Sequence, residues 1–193
     1  MPEEGKAPLR VRLTGRGGQG IMLAGAVLAE AAMYDGHHVA QTQEYGPEAR
    51  LGATKAEVII SRRPIAFPQV VVPDILLCLS RDGFLRYGRM IAPGGIRIVE
   101  ASLDPELSAE QGIVRLPLRE VARAEGNELA MNIVGLGALA TLTGAVSESA
   151  LERALGARIK PEFLDLNVRA LGAGLALGRA RSRAGPAIAT HGS

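Results

Sequence analysis

Short apolar runs alternate with longer Ala- and Leu-rich segments along most of the chain. The apolar runs predict strands at Leu9–Thr14, His37–Thr42, Ala53–Ser61, Asp74–Ser80, Ile96–Val99 and Gly112–Leu116. The other segments predict helices at Gly20–Tyr34, Arg81–Ile91, Leu118–Glu125, Glu128–Leu142, Ser147–Leu155 and Pro161–Leu177. Strands that alternate with helices indicate an α/β fold whose helices cover both faces of a parallel or mixed sheet. We therefore expect a three-layer α/β/α, Rossmann-like architecture.

The composition indicates one domain with an aliphatic core. The chain has 193 residues, of which 47% are hydrophobic but only 3% are aromatic, and tryptophan is absent. A core of Ala, Val, Leu and Ile suits helices that pack closely on a sheet, and a chain of this length can bury such a core in a single domain. We expect that domain to span residues 9–178, with flexible ends at residues 1–8 and 179–193.

The longest uncharged segment is residues 129–146. It is shorter than the run of about 20 apolar residues that a membrane span needs, and it contains Asn132 and three glycines. A helix buried against the sheet or a partner is therefore favoured. Three of its small residues are expected to let another backbone come close: Gly135, Ala138 and Gly144. The next helix is predicted to begin at a capping box of Ser149 and Glu152.

The charge balance gives no sign of a nucleic-acid or membrane partner. The formal net charge is +2, and the terminal stretch alone contributes Arg179, Arg181 and Arg183. The remainder is close to neutral, whereas a nucleic-acid-binding face needs clustered basic residues and stacking aromatic side chains. The basic end is interpreted as a solvated terminus. No apolar signal segment is visible near the N-terminus, so we expect a cytoplasmic protein.

Cys78 is the only cysteine in the sequence. A single cysteine cannot form an internal disulfide or supply the thiolates of an iron–sulfur cluster, which needs about four. Its apolar surroundings in the sequence predict a buried small hydrophobic residue and not a nucleophile. His37 and His38 have no cysteine or carboxylate at ligand spacing, so they are interpreted as surface residues. No metal site is expected in this chain.

A glycine-rich turn separates the first predicted strand from the first helix. Its sequence is Gly15-Arg-Gly-Gly-Gln-Gly20, in which Gly17 and Gly18 precede Gln19. A turn that opens a helix aims unpaired backbone N–H groups and partial positive charge at an anion. The spacing Gly-x-Gly-x-x-Gly also fits the dinucleotide-binding fingerprint. The alternative is that the glycines only permit a tight turn and close packing, with nothing bound.

Two features argue against a standard nucleotide site at this turn. A dinucleotide fold needs an acidic residue near the end of the second strand to hold a ribose hydroxyl, but residues 39–43 read Val-Ala-Gln-Thr-Gln. A P-loop is excluded because no Gly-Lys-Ser/Thr follows the turn. The amide of Gln19 is instead expected to reach a ligand or the neighbouring loop.

A second loop, residues 44–52, follows the second predicted strand and holds Tyr45, Glu48 and Arg50 around Gly46-Pro47. Glu48 and Arg50 could simply pair with each other, but an exposed ion pair contributes less than about 1 kcal/mol. Contact with a ligand or partner is the alternative. Both loops are expected at the edge of the sheet where ligands bind, beyond the carboxyl ends of the strands. The residues expected to bind a ligand or cofactor are Gly15, Gly17, Gly18, Gln19, Gly20, Tyr45, Glu48 and Arg50.

These motifs resemble the gamma subunit, or gamma domain, of 2-oxoacid:ferredoxin oxidoreductases. The matching segments are Gly15–Gly20, Glu44-Tyr-Gly-Pro-Glu-Ala-Arg50, Ala56–Ser61, Asn132–Leu139 and Asn167–Gly174. The resemblance covers about Leu9 to Gly178 and implies the 2-oxoglutarate or general 2-oxoacid branch. The family loop usually continues Arg-Gly-Gly, whereas Leu51 follows Arg50 here. Because leucine does not readily adopt positive φ, this loop differs locally from the family pattern.

The resemblance implies a non-autonomous subunit of a complex that oxidatively decarboxylates a 2-oxo acid to an acyl-CoA and reduces ferredoxin. The implied partners are alpha and beta subunits, with a ferredoxin-like delta subunit as a further candidate, and ferredoxin through the complex. The complex would use thiamine diphosphate, magnesium, iron–sulfur clusters and CoA, none of them held by this chain alone. The role of this chain would be to complete the assembly and to present Gly15–Gly20 or Arg50 to an anion such as a CoA phosphate. No catalytic acid, base or nucleophile is assigned.

Two other classes stay open from the sequence. One is a stand-alone Rossmann-like nucleotide-binding protein or dehydrogenase, which would bind a dinucleotide tightly. The other is an assembly protein without a ligand site, which would expose a large apolar surface when isolated. A homodimer of the isolated chain is also left open, and neither nucleic acid nor a membrane is expected as a partner. The sequence of this chain does not identify the 2-oxo acid.

Overall fold

The computed structural model describes residues 7–43, 53–103 and 112–184. These residues form six β-strands and six α-helices. The strands are β1 (Leu9–Arg16), β2 (His38–Gln43), β3 (Ala53–Ser61), β4 (Ile75–Cys78), β5 (Ile96–Glu100) and β6 (Ile113–Leu116). The helices are α1 (Ile21–Tyr34), α2 (Arg81–Tyr87), α3 (Leu118–Ala124), α4 (Met131–Thr143), α5 (Glu148–Arg158) and α6 (Pro161–Ala184), with one 3-10 turn at Glu128–Ala130. The predicted α/β class is confirmed.

The strands form one mixed sheet in the order β2-β3-β1-β4-β5-β6. Strands β1, β4, β5 and β6 run parallel, whereas β3 is antiparallel to both of its neighbours, β1 and β2. Parallel neighbours need a crossover of about a dozen residues or more. The connection from Gln43 to Ala53 is shorter than that, which explains why β2 and β3 pair antiparallel.

The larger core lies on the sheet face that α1 and α4 cover. Strand residues on this face, such as Val11 and Leu13 of β1, are fully buried and apolar. Helix α1 approaches the sheet closely because it carries Gly25 opposite Ala56, where an added Cβ would lie 2.7 Å from the Ala56 Cβ. Helix α5 packs against α1, and α6 packs against α4. None of the helices in the described part of the chain is long and apolar enough to cross a bilayer.

Helix α4 is buried on nearly all sides, as the uncharged segment predicts, and its backbone meets that of α6. A Cβ on Gly174 would lie 2.2 Å from the Val134 carbonyl oxygen, and a Cβ on Gly137 would lie 2.6 Å from the Leu171 carbonyl oxygen. The close approach therefore uses Gly137, Gly174 and Gly178, with Ala138 beneath Gly178. The predicted face was wrong at two positions: Gly135 faces Leu77 of the sheet, and Gly144 is the left-handed C-cap, with open space around it.

The opposite face of the sheet is covered by α2 and by residues 62–73. A smaller apolar cluster lies here, formed by Leu76, Cys78, Phe84, Tyr87 and Val99. Helices therefore lie on both faces, and the expected three-layer arrangement is confirmed. The two outer layers are unequal, because α2 has only seven residues, whereas the other five α-helices belong to the α1 side.

The predicted helices differ from the observed ones at the end of α2, at the cap of α5 and at the end of α6, among other positions. Helix α2 ends at Tyr87 and not at Ile91, because the chain turns after Gly88, whose N–H donates to the Phe84 carbonyl oxygen at 2.7 Å. Helix α5 is capped by Ser147, whose Oγ accepts a hydrogen bond from the Ala150 N–H at 3.2 Å. The proposed capping box at Ser149 and Glu152 is therefore wrong.

Helix α6 continues to Ala184, beyond its predicted end at Leu177. Residues 178–184 are Ala, Arg, Ser and a single Gly, and the next glycine and proline come only at Gly185-Pro186. Ala and Arg are strong helix formers, so nothing in this stretch stops the helix. Residues 179–184, which were expected to belong to a flexible end, are thus helical, and the other limits of the domain stay predictions.

Candidate functional site

The glycine turn lies at the end of a central strand. Strand β1 continues through the buried Gly15 to Arg16, and the exposed Gly17 and Gly18 form the turn that follows. Gly18 has φ of 84° and Gly20 has φ of 67°, a left-handed conformation that glycine adopts without steric cost. Helix α1 begins directly afterwards at Ile21 and has no side-chain cap at its N-terminus.

Gln19 holds the turn in place from inside the loop. Its Oε1 accepts a hydrogen bond from the Arg16 N–H at 2.6 Å, and its Nε2 donates to the Leu79 carbonyl oxygen at 3.2 Å. Leu79 follows β4, so this amide joins the ends of two adjacent parallel strands. A Cβ on Gly15 would lie 2.6 Å from the same Oε1, which gives that glycine a packing role. The bond to Leu79 uses one of the two hydrogens on Nε2. The predicted contact between Gln19 and a ligand therefore applies to the other hydrogen.

Asn132 supports the turn from the other side. This residue is 3% exposed, and its Nδ2 donates a hydrogen bond to the Gly20 carbonyl oxygen at 3.0 Å. A Cβ on Gly20 would lie 2.4 Å from Nδ2, so Asn132 requires a glycine at this position. The loop motifs do not predict Asn132 as a site residue, although a lone amide in an uncharged helical segment is a visible signal.

Three backbone donors of the turn have no partner in the part of the chain that the structure describes. The N–H of Gln19 donates to the Arg16 carbonyl oxygen at 3.2 Å, but the N–H groups of Gly17, Gly18 and Gly20 make no hydrogen bond to another described residue. The N-terminus of α1 adds partial positive charge to the same place. The guanidinium of Arg16 is exposed and is held at 2.9 Å from Asp82, in the first turn of α2. These groups together form a cradle suited to an anion.

The second predicted loop starts and ends at the same edge of the sheet. Ala53, where β3 begins, pairs with Arg16, and Gln43, where β2 ends, pairs with Ala56. Gln43 and Ala53, which flank the second predicted loop in the sequence, thus lie at the edge of the sheet that carries the glycine turn. The predicted site residues Tyr45, Glu48 and Arg50, and also Leu51, lie outside the described residues, so their contribution to this edge stays a prediction.

A buried charge cluster lies beneath this edge on the α2 side. Arg12 is 2% exposed and contacts Glu57 at 2.7 Å, and Lys55 lies 3.4 Å from the same carboxylate. The guanidinium of Arg12 also stacks 5.1 Å from the centre of the Tyr87 ring and donates to the Val70 carbonyl oxygen at 2.8 Å. These contacts tie β3 and residues 62–73 to β1, the strand that leads into the glycine turn.

Residues 10–177 match the pyruvate ferredoxin/flavodoxin oxidoreductase family. The chain belongs to this family. It is 45% identical over 150 residues to the 2-oxoglutarate synthase subunit KorC of Methanocaldococcus jannaschii, an alignment that covers 75% of this chain and 80% of that protein. The resemblance that the two loop motifs indicate is therefore confirmed.

Solved structures agree with this assignment. The gamma subunit of a keto/oxoacid ferredoxin oxidoreductase from Geobacter sulfurreducens is 37% identical, with a TM-score of 0.78, covering 89% of this chain and 99% of that one. A 2-oxoglutarate:ferredoxin oxidoreductase from Magnetococcus marinus, determined with 2-oxoglutarate, coenzyme A and succinyl-CoA bound, has the same fold. Its TM-score is 0.79 at 24% identity, covering 91% of this chain and 32% of that one. The chain is a gamma-type subunit of an oxoacid:ferredoxin oxidoreductase.

The gamma-type fold differs from a dinucleotide-binding fold at the position that holds the ribose. In this chain the antiparallel β3 lies between β1 and β2, and β3 begins Ala53-Thr54-Lys55. The strand beside the glycine turn is therefore antiparallel, and its first residues carry no carboxylate of the kind that holds a ribose in a dinucleotide site. This arrangement disfavours the alternative of a stand-alone dehydrogenase.

Metal ligation and thiol chemistry find little support in the part of the chain that the structure describes. Within it, no group of three or more His, Cys, Asp or Glu side chains is placed to hold a metal ion. Cys78 is buried, and burial raises the pKa of its thiol from 9.0 to about 12. A thiol with such a pKa is not ionised at neutral pH and is a poor nucleophile. The prediction that Cys78 is a buried hydrophobic residue is confirmed.

Proposed function

We propose that this gamma-type chain serves a 2-oxoglutarate:ferredoxin oxidoreductase. That complex would convert 2-oxoglutarate and CoA to succinyl-CoA and carbon dioxide, and the two electrons released would reduce ferredoxin. The observation that carries the substrate assignment is the 45% identity to a 2-oxoglutarate synthase subunit, spread over most of both chains. The Magnetococcus enzyme, which shares the fold, has the same substrate pair bound.

The glycine turn is proposed to contact a phosphate of CoA. Three features support this role: N–H groups at Gly17, Gly18 and Gly20 without a partner among the described residues, the positive end of α1, and the exposed guanidinium of Arg16. The place that a Gly18 side chain would take is open, with nothing within 4 Å, so an anion can reach the backbone there. Tyr45, Glu48 and Arg50 are proposed to complete the contact from residues 44–52, which join the sheet at this edge.

The reacting cofactors are proposed to lie in other polypeptides. Thiamine diphosphate with its magnesium would supply the chemistry of decarboxylation, and iron–sulfur clusters would carry the electrons. This chain has one cysteine, which cannot ligate a cluster alone. Alpha and beta subunits, with a ferredoxin-like delta subunit as a further candidate, are the proposed partners, and the cytoplasm is the proposed location.

The substrate assignment is tested by co-expressing the chain with the other subunits encoded in the same genome. Reduction of a viologen dye is measured with 2-oxoglutarate, pyruvate or 2-oxoisovalerate, each with and without CoA. We expect CoA-dependent reduction with kcat/KM at least about tenfold higher for 2-oxoglutarate. Equal or higher kcat/KM with pyruvate or 2-oxoisovalerate would contradict the assignment.

The proposed CoA contact is tested with a pair of matched glycine variants in that complex. Gly18 and Gly36 have φ of 84° and 81°, and neither has an atom within 4 Å of its missing Cβ. Alanine at either position should therefore impose similar backbone strain, of about 1 kcal/mol. We expect Gly18→Ala to raise the KM for CoA several-fold, because a methyl group then occupies the approach to the free amides, and Gly36→Ala to leave it unchanged. Equal effects of the two variants would remove the turn from the CoA site.

A further inference from the structure

Helix α6 presents one long face to solvent. The helix has 24 residues, of which five are buried, and these include the glycines that meet α4. Exposed residues recur at a spacing of three or four along the other side, which places them on a single face. We call this set the outer face of α6, and its members are Asp165, Val168, Gly172, Ala176, Arg179 and Arg183.

The last part of α6 extends beyond the core. Gly178 is the last buried residue, yet the helix continues to Ala184, and none of residues 179–184 is buried. Helices in proteins are stabilised mainly by the packing of one face against other elements. The ion pair of Arg179 with Glu148 is exposed, and such pairs contribute little. A contact with another chain would supply the packing that this segment lacks.

The outer face carries opposite charges at its two ends. Asp165 and Arg183 are 18 residues apart, which is five full turns of an α-helix, so both lie on one line along the helix. Both side chains are exposed, and neither has an ion-pair partner within the described part of the chain. An acidic and a basic group are therefore available at opposite ends of the same face.

The middle of the outer face is made of small residues. Gly174 is midway between Asp165 and Arg183, and the exposed Gly172 and Ala176 lie two residues before and after it. Small side chains at a contact allow the axes of two helices to approach closely. In an antiparallel pair of α6 helices centred at Gly174, Asp165 of each copy faces Arg183 of the other, and Gly172 faces Ala176. The face is therefore complementary to itself.

We propose that two copies of this chain pair through the outer faces of their α6 helices, antiparallel and about a twofold axis. A twofold contact uses the same residues of both copies, so both ion pairs between Asp165 and Arg183 form together. Val168, which is 46% exposed, packs along the aliphatic stem of Arg179 of the other copy. One helix face per copy is less than a stable interface buries, so the dimer exchanges with monomer. This inference is independent of the proposed substrate and of the proposed CoA contact.

The test is charge reversal in the full-length chain, followed by sedimentation between about 10 µM and 1 mM. We expect wild type to show a monomer–dimer equilibrium with a Kd on the order of 100 µM, weakened by added salt. Asp165→Arg and Arg183→Asp each place like charges opposite one another at both ends of the contact. Each variant alone should therefore pair at least about tenfold more weakly. An equimolar mixture of the two variants regains both ion pairs and should pair within about threefold of wild type.

A matched pair of alanine variants tests the close approach of the helices. Ala176→Arg inserts a long charged side chain at the centre of the contact and should weaken pairing at least about tenfold. The control is Ala157→Arg, since Ala157 is equally exposed in class but lies on α5. That change should leave the Kd within about twofold. Thermal unfolding checks that every variant is folded.

Three results would overturn this inference. The first is a wild-type chain that stays monomeric at 1 mM, the highest concentration of the roughly hundredfold range. The second is a mixture of Asp165→Arg and Arg183→Asp that pairs no better than either variant alone. The third is equal weakening by Ala176→Arg and Ala157→Arg. A monomeric wild type whose recovery with co-expressed subunits is lost only in Ala176→Arg would assign the outer face to another subunit instead. All of these results leave the proposed function intact.

Discussion

The amide nitrogen of Asn132 donates a hydrogen bond to the Gly20 carbonyl oxygen at 3.0 Å, although 112 residues separate them. The bond ties the first turn of α4 to the N-terminus of α1 and fixes the left-handed conformation of Gly20. Gln19 fixes the other end of the turn through Arg16 and Leu79. The N–H groups of Gly17 and Gly18, which have no partner among the described residues, are therefore held in a defined position.

Replacing Asn132 should loosen the turn and destabilise the fold. Asn132→Ala removes one of the two hydrogen bonds to the Gly20 carbonyl oxygen, which keeps the Ala24 N–H at 2.9 Å. The loss should cost about 0.5–1.5 kcal/mol, and in the complex it should raise the KM for CoA. The control is Asn167→Ala, which removes an amide that bonds only the Phe163 carbonyl oxygen within α6, at 2.8 Å. We expect that change to stay within about 0.5 kcal/mol. Urea unfolding and steady-state kinetics check both effects, and equal losses from the two variants would contradict the role of Asn132.

The contact between α4 and α6 depends on glycines at the crossing. Gly174→Ala would place a methyl group 2.2 Å from the Val134 carbonyl oxygen, so the helices must separate, at a cost of about 2–3 kcal/mol. Gly172 lies on the exposed side of α6, with nothing within 4 Å, and Gly172→Ala should stabilise by about 0.5–1 kcal/mol through helix propensity. Thermal unfolding of the two variants should show shifts of opposite sign. A higher melting temperature for Gly174→Ala would contradict this packing.

The buried carboxylate of Glu57 should matter far more than an exposed one. Glu57→Gln removes the carboxylate that lies 2.7 Å from the buried Arg12 guanidinium and should lower the free energy of unfolding by about 3 kcal/mol. Asp82→Asn removes the exposed partner of Arg16, and its effect should stay below about 1 kcal/mol. Chemical denaturation at neutral pH measures both. Comparable small losses would show that the Arg12 cluster contributes little to stability.

The burial of Cys78 predicts how its thiol reacts and how the stability of the fold depends on pH. The native thiol should not react with Ellman's reagent at pH 8, whereas one thiol per chain should react after unfolding. Because burial raises the folded pKa from 9.0 to about 12, the folded state keeps a proton that the unfolded state loses between these values. This contribution to stability is complete below pH 9 and is lost as pH rises toward 12. Above pH 9 the wild type should therefore lose stability more steeply than Cys78→Ala, and parallel pH profiles or rapid native labelling would contradict the burial.

The strand pattern and the glycine turn could be predicted from the sequence, because alternation and glycine clusters are local signals. The face of α4 that meets α6 could not, because nearly every position of α4 is apolar and periodicity then says nothing about its rotation. Asn132 was missed as a site residue because its partner lies 112 residues away.

The buried ion pair of Arg12 and Glu57 also escaped prediction. It depends on the register of β1 against β3, which sets these two residues opposite each other. For residues 44–52, the sequence supplies the motif around Arg50. The described strands show that Gln43 and Ala53, on either side of that motif, lie at the edge of the sheet with the glycine turn.

The central claim is that this chain is a required but non-autonomous part of an oxidoreductase. The most direct measurement is to add purified chain in increasing amounts to the remaining subunits, prepared without it, and to follow CoA-dependent viologen reduction with 2-oxoglutarate. We predict no activity from either preparation alone and a linear rise that saturates at a fixed ratio of chain to partner. Dye reduction by the isolated chain, or full activity of the partners without it, would contradict the claim.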